Sequence, residues 1–153
     1  MIDVGKTAPN FSLLNTKREL VTLESMRGKQ VVLAFFPAAF TGVCEKEMCA
    51  LRDSMAELNG LNAQVVGIAV DAPFSLAAFA TKNNLSFPVL SDYTRSTVKA
   101  YGIELPDFAG MTGYTASKRA VFVLDKDGVV RWNWVGPNPG VEPPYEEIKK
   151  ALA

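Results

Sequence analysis

The hydrophobic positions of the chain form two kinds of pattern, continuous runs and runs with helical spacing. Residues 31–36 and 65–70 are continuous β-branched and aromatic runs, typical of strands buried on both faces, and residues 88–90 form a shorter one. Across residues 44–58, apolar side chains recur every three or four positions. This spacing predicts an amphipathic helix, and Gly60 is a suitable residue to end it.

Polar turn sequences divide the apolar residues near both ends of the chain into hairpins. Residues 8–14 and 20–23 predict two short strands joined through residues 15–19. Residues 120–124 and 129–134 flank an Asp-Lys-Asp-Gly sequence, which is a strong hairpin signal because these residue types favour tight turns. The sequence therefore predicts one hairpin near each end of the chain.

The order of these elements predicts the fold class. Further helices are predicted at residues 73–82, 94–101 and 143–152, and Pro73 suits the first turn of its helix. Strands that alternate with helices call for parallel central strands with helices on both faces, and the closing hairpin adds an antiparallel edge. We predict an α/β, thioredoxin-like sandwich, with a central mixed sheet flanked by helices and an N-terminal β-hairpin extension. No linker or repeat is visible, so residues 1–153 are predicted to form a single domain.

Composition excludes several classes of function. The chain has 16 basic and 16 acidic residues, two cysteines and no histidine. Without histidine, neither Ser-His-Asp nor Cys-His catalysis can occur within the chain, and we expect no metal or other cofactor. The charges are mixed, so we expect no nucleic-acid or membrane partner. With no signal-peptide pattern at the start, we predict a cytoplasmic location, where a cysteine pair is more often catalytic than structural.

The candidate chemistry lies where the first buried strand ends. Pro37 turns the chain there, and Cys44 falls in the first turn of the predicted helix. Ligands in open α/β sheets bind beyond the carboxyl ends of strands, and the free N–H groups of a helix N-terminus stabilise a thiolate. Thr41 would bring a hydroxyl towards the sulfur, and Pro37 would shield the sulfur from water. The alternative is that Cys44 is a buried structural cysteine on the core-facing side of the helix.

Cys44 and Cys49 are five residues apart, which limits how they can pair. On an intact α-helix their Cα atoms lie about 8.6 Å apart, by the standard rise and radius. A disulfide tolerates at most about 7 Å, so pairing would require the first turns of the helix to unwind. The spacing also differs from the Cys-x-x-Cys of thioredoxin-type exchange. A Cys49 that takes no part in the chemistry remains the alternative.

The pattern Pro37-x-x-x-Thr41-x-x-Cys44 resembles the peroxiredoxin active-site motif. Glu47 and Cys49, three and five residues further on, resemble the PrxQ group, which is also called bacterioferritin comigratory protein-like. The resemblance covers nearly the whole chain and takes in residues 5–11, 51–53, 87–92 and 119–125.

This resemblance implies thiol-dependent reduction of hydrogen peroxide and organic hydroperoxides. Cys44 would be the peroxidatic thiolate, which attacks a peroxide oxygen and becomes a sulfenic acid. Cys49 would resolve that acid as an intrachain disulfide, which thioredoxin or a similar dithiol protein would reduce. Arg119 matches the arginine that family members place beside the sulfur, and the adjacent Lys118 is a second choice. Glu47 would hold that arginine in place.

The resemblance also assigns the surroundings of the sulfur. Pro37 and Thr41 match the pocket positions of the family, and the backbone N–H of Val43 is a candidate donor to the leaving oxygen. Residues 105–116 depart from the family pattern, and we expect them to form a loop over the pocket. Its apolar walls would come from Phe108, Met111 and Tyr114, and Phe40 is expected in the same pocket.

Two other functions are compatible with these residues. One is a one-cysteine peroxidase, in which an external thiol attacks the sulfenic acid and Cys49 is idle. The other is a redox-sensing module, in which oxidation of Cys44 changes a partner surface and turnover is negligible. The sequence is compatible with a monomer or a homodimer.

Overall fold

The computed structural model describes residues 1–152, except for the side chain of Met55. Its strands are β1 Ser12–Leu14, β2 Leu20–Thr22, β3 Gln30–Phe35, β4 Ala63–Ala69, β5 Val89–Ser91, β6 Glu104–Leu105, β7 Ala116–Ser117, β8 Ala120–Leu124 and β9 Val130–Val135. Its α-helices are α1 Gly42–Asp53, α2 Met55–Gly60, α3 Pro73–Lys82, α4 Ser96–Ala100 and α5 Tyr145–Leu152, and single 3-10 turns occur at Glu24–Met26 and Phe108–Gly110.

Seven of the strands form one mixed sheet in the order β2-β1-β5-β4-β3-β8-β9. β3 lies between parallel β4 and antiparallel β8, and β5 is parallel to β4. The β1–β2 hairpin joins one side through a pairing of β1 with β5, and the β8–β9 hairpin forms the other edge. The predicted thioredoxin-like α/β fold, with its mixed sheet and N-terminal hairpin, is confirmed.

The two faces of this sheet form two hydrophobic cores. Alternate residues of β3 point to opposite faces, so that Leu33 lies in one core and Val32 in the other, both fully buried. α4 and the N-terminal segment cover the first core, whereas α1, α2, α3 and α5 supply the second. Burial on both faces explains why residues 31–35 of β3 form a continuous apolar run. Cys44 belongs to the second core.

The helix predicted across residues 44–58 is divided into α1 and α2 at Ser54. The Ser54 hydroxyl donates to the carbonyl of Ala50, 3.0 Å away, and such a bond to the preceding turn bends a helix. Residues 105–116 also differ from the prediction of a simple loop, because β6 and β7 pair there as a small antiparallel sheet.

The described helices pack on the one large sheet, and a single domain across residues 1–153 stays a prediction. Ala153 itself lies outside the described residues. Within residues 1–152, no helix has the length and hydropathy needed to cross a membrane.

Candidate active site

Contacts of Ala39 and Phe40 hold the loop that follows β3 in place. Pro37 is buried, and the backbone N–H of Ala39 lies 3.3 Å from both carboxylate oxygens of Asp71. Phe40 has a φ of 63°, a left-handed conformation that is costly for an aromatic residue. Its ring is held edge-on against that of Phe79, with centroids 5.6 Å apart. These contacts define where α1 begins.

Cys44 is the third residue of α1 and has no exposed surface. The first intrahelical hydrogen bond is donated by the N–H of Glu45 to the carbonyl of Thr41, 3.0 Å away. The N–H groups of residues 42–44 precede that bond and have no acceptor within the helix. They and the helix dipole therefore stabilise negative charge beside the Cys44 sulfur.

Thr41 is the residue before α1 and is half-buried. Its hydroxyl donates to the carbonyl of Ala38, 2.9 Å away, and does not cap the helix. The hydroxyl proton is therefore engaged by Ala38, whereas the oxygen keeps lone pairs that can accept a hydrogen bond from the Cys44 thiol or a bound peroxide.

Arg119 is the charged side chain that meets the Cys44 sulfur. It directly precedes β8, whose first residue pairs with the last residue of β3, and this register brings the guanidinium to the start of α1. Nη2 lies 3.0 Å from Sγ of Cys44, and both Nε and Nη2 donate to the carbonyl of Pro139. Arg119 is 2% exposed, whereas the neighbouring Lys118 is on the surface. Of the two basic residues, only Arg119 has a contact with the sulfur.

Glu47 lies one helical turn after Cys44 and is fully buried. Its Oε1 is 3.6 Å from Nη1 of Arg119, and neither carboxylate oxygen has a hydrogen-bond partner among residues 1–152. Burial raises the pKa of Glu47 to about 8, and Arg119 offsets this only in part. Burial therefore favours the protonated form of Glu47, and a neutral carboxyl leaves the guanidinium charge available to the sulfur.

Cys49 lies on another side of α1 and is half-buried. Its sulfur is 3.5 Å from Oδ1 of Asn83, which follows the last residue of α3. Both cysteines are free, and both lie in the intact helix, so the structure corresponds to a reduced, folded state.

The remaining predicted pocket residues are more dispersed. Val43 is half-buried in the first turn of α1, and Phe40 is 49% exposed beside it. Met111 is 47% exposed, and Phe108 and Tyr114 pack against the first core, not the core that contains Cys44. The structure therefore groups Cys44, Arg119 and Glu47 closely, and it does not bring the three side chains of the 105–116 segment into that group.

A cavity of about 350 Å³ opens beside Arg119. Its other lining residues are Leu105, Lys118, Gly136, Pro137, Asn138 and Pro139. This volume falls within the range of small-molecule sites, so it has room for an organic group.

Three contacts at the site were not predicted from the sequence. They are the carbonyl of Pro139 on Arg119, the carboxylate of Asp71 on the Ala39 N–H, and Asn83 on Cys49. Each joins residues at least 20 positions apart, so no local pattern could have revealed it. The only signal nearby is the turn-forming Asn-Pro-Gly sequence that ends at Gly140.

Known proteins resemble this chain in sequence and in fold. A family model described as the AhpC/TSA family matches residues 4–133. The chain is 38% identical over 135 residues to alkyl hydroperoxide reductase E of Mycobacterium tuberculosis, covering 86% of this chain and 84% of that protein. It is also 38% identical over 130 residues to a peroxiredoxin designated bcp of Haemophilus influenzae, with 84% and 83% covered. The crystal structure of peroxidoxin BcpB from Mycobacterium tuberculosis matches with a TM-score of 0.87 at 27% identity, over 99% of this chain and 97% of that one.

Proposed function

The chain belongs to the AhpC/TSA family and is a peroxiredoxin, and from that premise we propose that Cys44 is its peroxidatic cysteine and Cys49 its resolving cysteine. The substrates proposed are hydrogen peroxide and organic hydroperoxides. One observation carries the proposal: the guanidinium of Arg119 lies 3.0 Å from a sulfur that is buried in the first turn of a helix.

The first step is attack by the Cys44 thiolate on one peroxide oxygen. An S–O bond forms, the O–O bond breaks, and the leaving oxygen takes a proton to become water or an alcohol. Donors aimed at the leaving oxygen lower the barrier, and the N–H groups of Val43 and Cys44 are suitable. Arg119 stabilises the negatively charged thiolate because its guanidinium stays positively charged and lies 3.0 Å from the sulfur. The cavity beside Arg119 offers room for the organic part of a larger hydroperoxide.

The second step converts the sulfenic acid into a disulfide. The Cys49 thiolate attacks the Cys44 sulfur, the S–S bond forms, and the oxygen leaves as water after protonation. A dithiol protein such as thioredoxin then reduces the disulfide by exchange. A cytoplasmic location remains part of the proposal, because a reducing compartment suits such a cycle.

Stopped-flow oxidation of the reduced protein tests the first step. Trp134 packs against the core that contains Cys44, so its fluorescence provides a signal. We expect wild-type oxidation by peroxide to be orders of magnitude faster than that of a free thiol, and Cys44→Ser to lose the signal. A wild-type rate no faster than that of a free thiol would refute the peroxidase role of Cys44.

One observation favours a second candidate, the one-cysteine peroxidase. In the intact helix, Cys49 bonds to Asn83 and is separated from Cys44 by more than a disulfide allows. Cys49→Ser distinguishes the two mechanisms. The two-cysteine mechanism predicts loss of turnover with thioredoxin and an unchanged first oxidation, whereas the one-cysteine mechanism predicts that the substitution changes neither.

A further inference from the structure

Three side chains on one face of α1 bind the end of α3. Glu45, Cys49 and Arg52 are spaced i, i+4 and i+7, so they share a face of the helix. Nζ of Lys82 lies 2.9 Å from Oε1 of Glu45, and Oδ1 of Asn83 accepts from the Cys49 thiol. Nη1 of Arg52 donates to the Asn83 carbonyl. We call these five residues the α1–α3 latch.

Asn83 is the central member of the latch because it is fixed from its own helix. Its Nδ2 donates to the carbonyl of Phe79, 3.0 Å away, and lies 3.4 Å from Oε1 of Glu45. With the amide nitrogen engaged in this way, its oxygen faces the Cys49 thiol. Asn83 therefore holds Cys49 on the α3 side of α1.

Disulfide formation requires the latch to open. The Cα atoms of Cys44 and Cys49 must come closer than the roughly 8.6 Å that an intact helix imposes. Glu45 lies between the two cysteines in sequence, so unwinding this segment also breaks its contacts with Lys82 and Asn83. Within the described residues, no side-chain bond of the latch involves Cys44 or Arg119.

We propose that Lys82 and Asn83 are positioning residues that set the rate at which Cys49 reaches the oxidised Cys44. This inference rests on the proposed function and goes beyond it by naming what delays the second step. A closed latch prolongs the life of the sulfenic acid. During that time a second peroxide molecule can transfer an oxygen to the same sulfur, giving a sulfinic acid and water or alcohol.

The test compares Lys82→Ala, Asn83→Ala and a matched control. Arg131→Ala is the control because it removes an ion pair to Asp125 outside the latch, and its side chain is 61% exposed, against 60% for Lys82. Double-mixing stopped-flow separates the peroxide step from disulfide formation, and acid quenching with thiol blocking and mass spectrometry measures the disulfide and sulfinic fractions.

We expect all three variants to keep the wild-type rate of the peroxide step. Disulfide formation should accelerate about 2-fold in Lys82→Ala, as for an exposed ion pair, and about 3- to 10-fold in Asn83→Ala, which loses two contacts to α1. At a given peroxide concentration, the sulfinic fraction should be highest in the wild type, lower in Lys82→Ala and lowest in Asn83→Ala. Hydrogen exchange of amides 42–52 in the reduced protein should rise in both variants and not in the control.

Disulfide formation that is unchanged or slower in both latch variants would overturn the inference. Lys82→Ala keeps the test decisive if Asn83→Ala disturbs the end of α3, because it removes an exposed side chain whose other contact, with the Phe40 ring 5.6 Å away, involves neither Cys44 nor Arg119. A wild-type protein that reacts with peroxide but forms no Cys44–Cys49 disulfide would overturn the resolving role of Cys49 and the latch together. Normal disulfide formation with no response to the latch variants would overturn the latch alone.

Discussion

Replacing Glu47 with Gln should change how the stability of the fold depends on pH. The Gln side chain has nearly the same shape but stays neutral at every pH. Burial raises the pKa of Glu47 from an ordinary 4.5 to about 8, so the folded protein keeps this proton in a range where the unfolded chain has lost it. The unfolding free energy of the wild type should therefore fall as pH rises from about 4.5 to about 8.

The size of this fall follows from the two pKa values. Between 4.5 and about 8, the difference corresponds to about 5 kcal/mol when the carboxyl is fully ionised. Wild type and Glu47→Gln should have similar unfolding free energies near pH 5, and the variant should be more stable by several kcal/mol near pH 9. Arg119 does not reverse the sign, because its attraction only partly offsets the cost of burying the carboxylate.

Urea denaturation of the reduced proteins near pH 5, 7 and 9 measures this effect. Glu57→Gln is the control, since that carboxylate is 58% exposed and its substitution removes the same charge from the surface. If the stability of Glu47→Gln and that of the wild type change in parallel with pH, Glu47 does not hold a proton in the folded state and the reasoning fails.

Three further predictions concern the site, the redox change and the core. Arg119→Lys should slow oxidation of Cys44 by roughly 10- to 100-fold in stopped-flow, because an ammonium cannot contact the sulfur and the Pro139 carbonyl in the same geometry; an unchanged rate would contradict this role. Oxidation to the disulfide should reduce the helical far-UV circular dichroism and raise amide exchange across residues 42–52, and identical spectra and exchange would count against unwinding. Leu33→Ala should lower the unfolding free energy by about 2–5 kcal/mol in urea, since Leu33 is fully buried, and a loss well below this would mean that the core refills the space.

The sequence predicts best those elements whose pattern has a local cause. Residues 31–35 of β3 are apolar at every position because both faces of the strand are buried there, and Pro73 begins α3 where its fixed φ favours a first turn. The small β6–β7 sheet was missed because strands of two residues carry no detectable period. The break at Ser54 was missed because Ser in a helix can equally point its hydroxyl into solvent.

The site residues also differ in whether a local sequence pattern could predict them. The position of Cys44 in a first helical turn follows from the strand, the proline and the helical spacing around it. Its contact with Arg119, 75 positions away, depends on the register of β3 with β8, and only the family resemblance singled out that arginine. Asn83 belongs to no sequence motif, because its role arises from the packing of α3 against α1.

The division between α1 and α2 bears on how far an unfolding event can spread. A helix that ran unbroken from residue 42 to residue 60 would be one cooperative unit, and unwinding its start would weaken the hydrogen bonds of its end. The turn at Ser54 separates the 12 residues of α1, which carry both cysteines, from α2, and the hydrogen bonds from Ser54 to Ala50 and from Leu58 to Ser54 link the two helices. We expect Leu58, in α2 and nine residues beyond Cys49, to stay in the second core while the first turns of α1 open, so that α2 keeps covering the sheet.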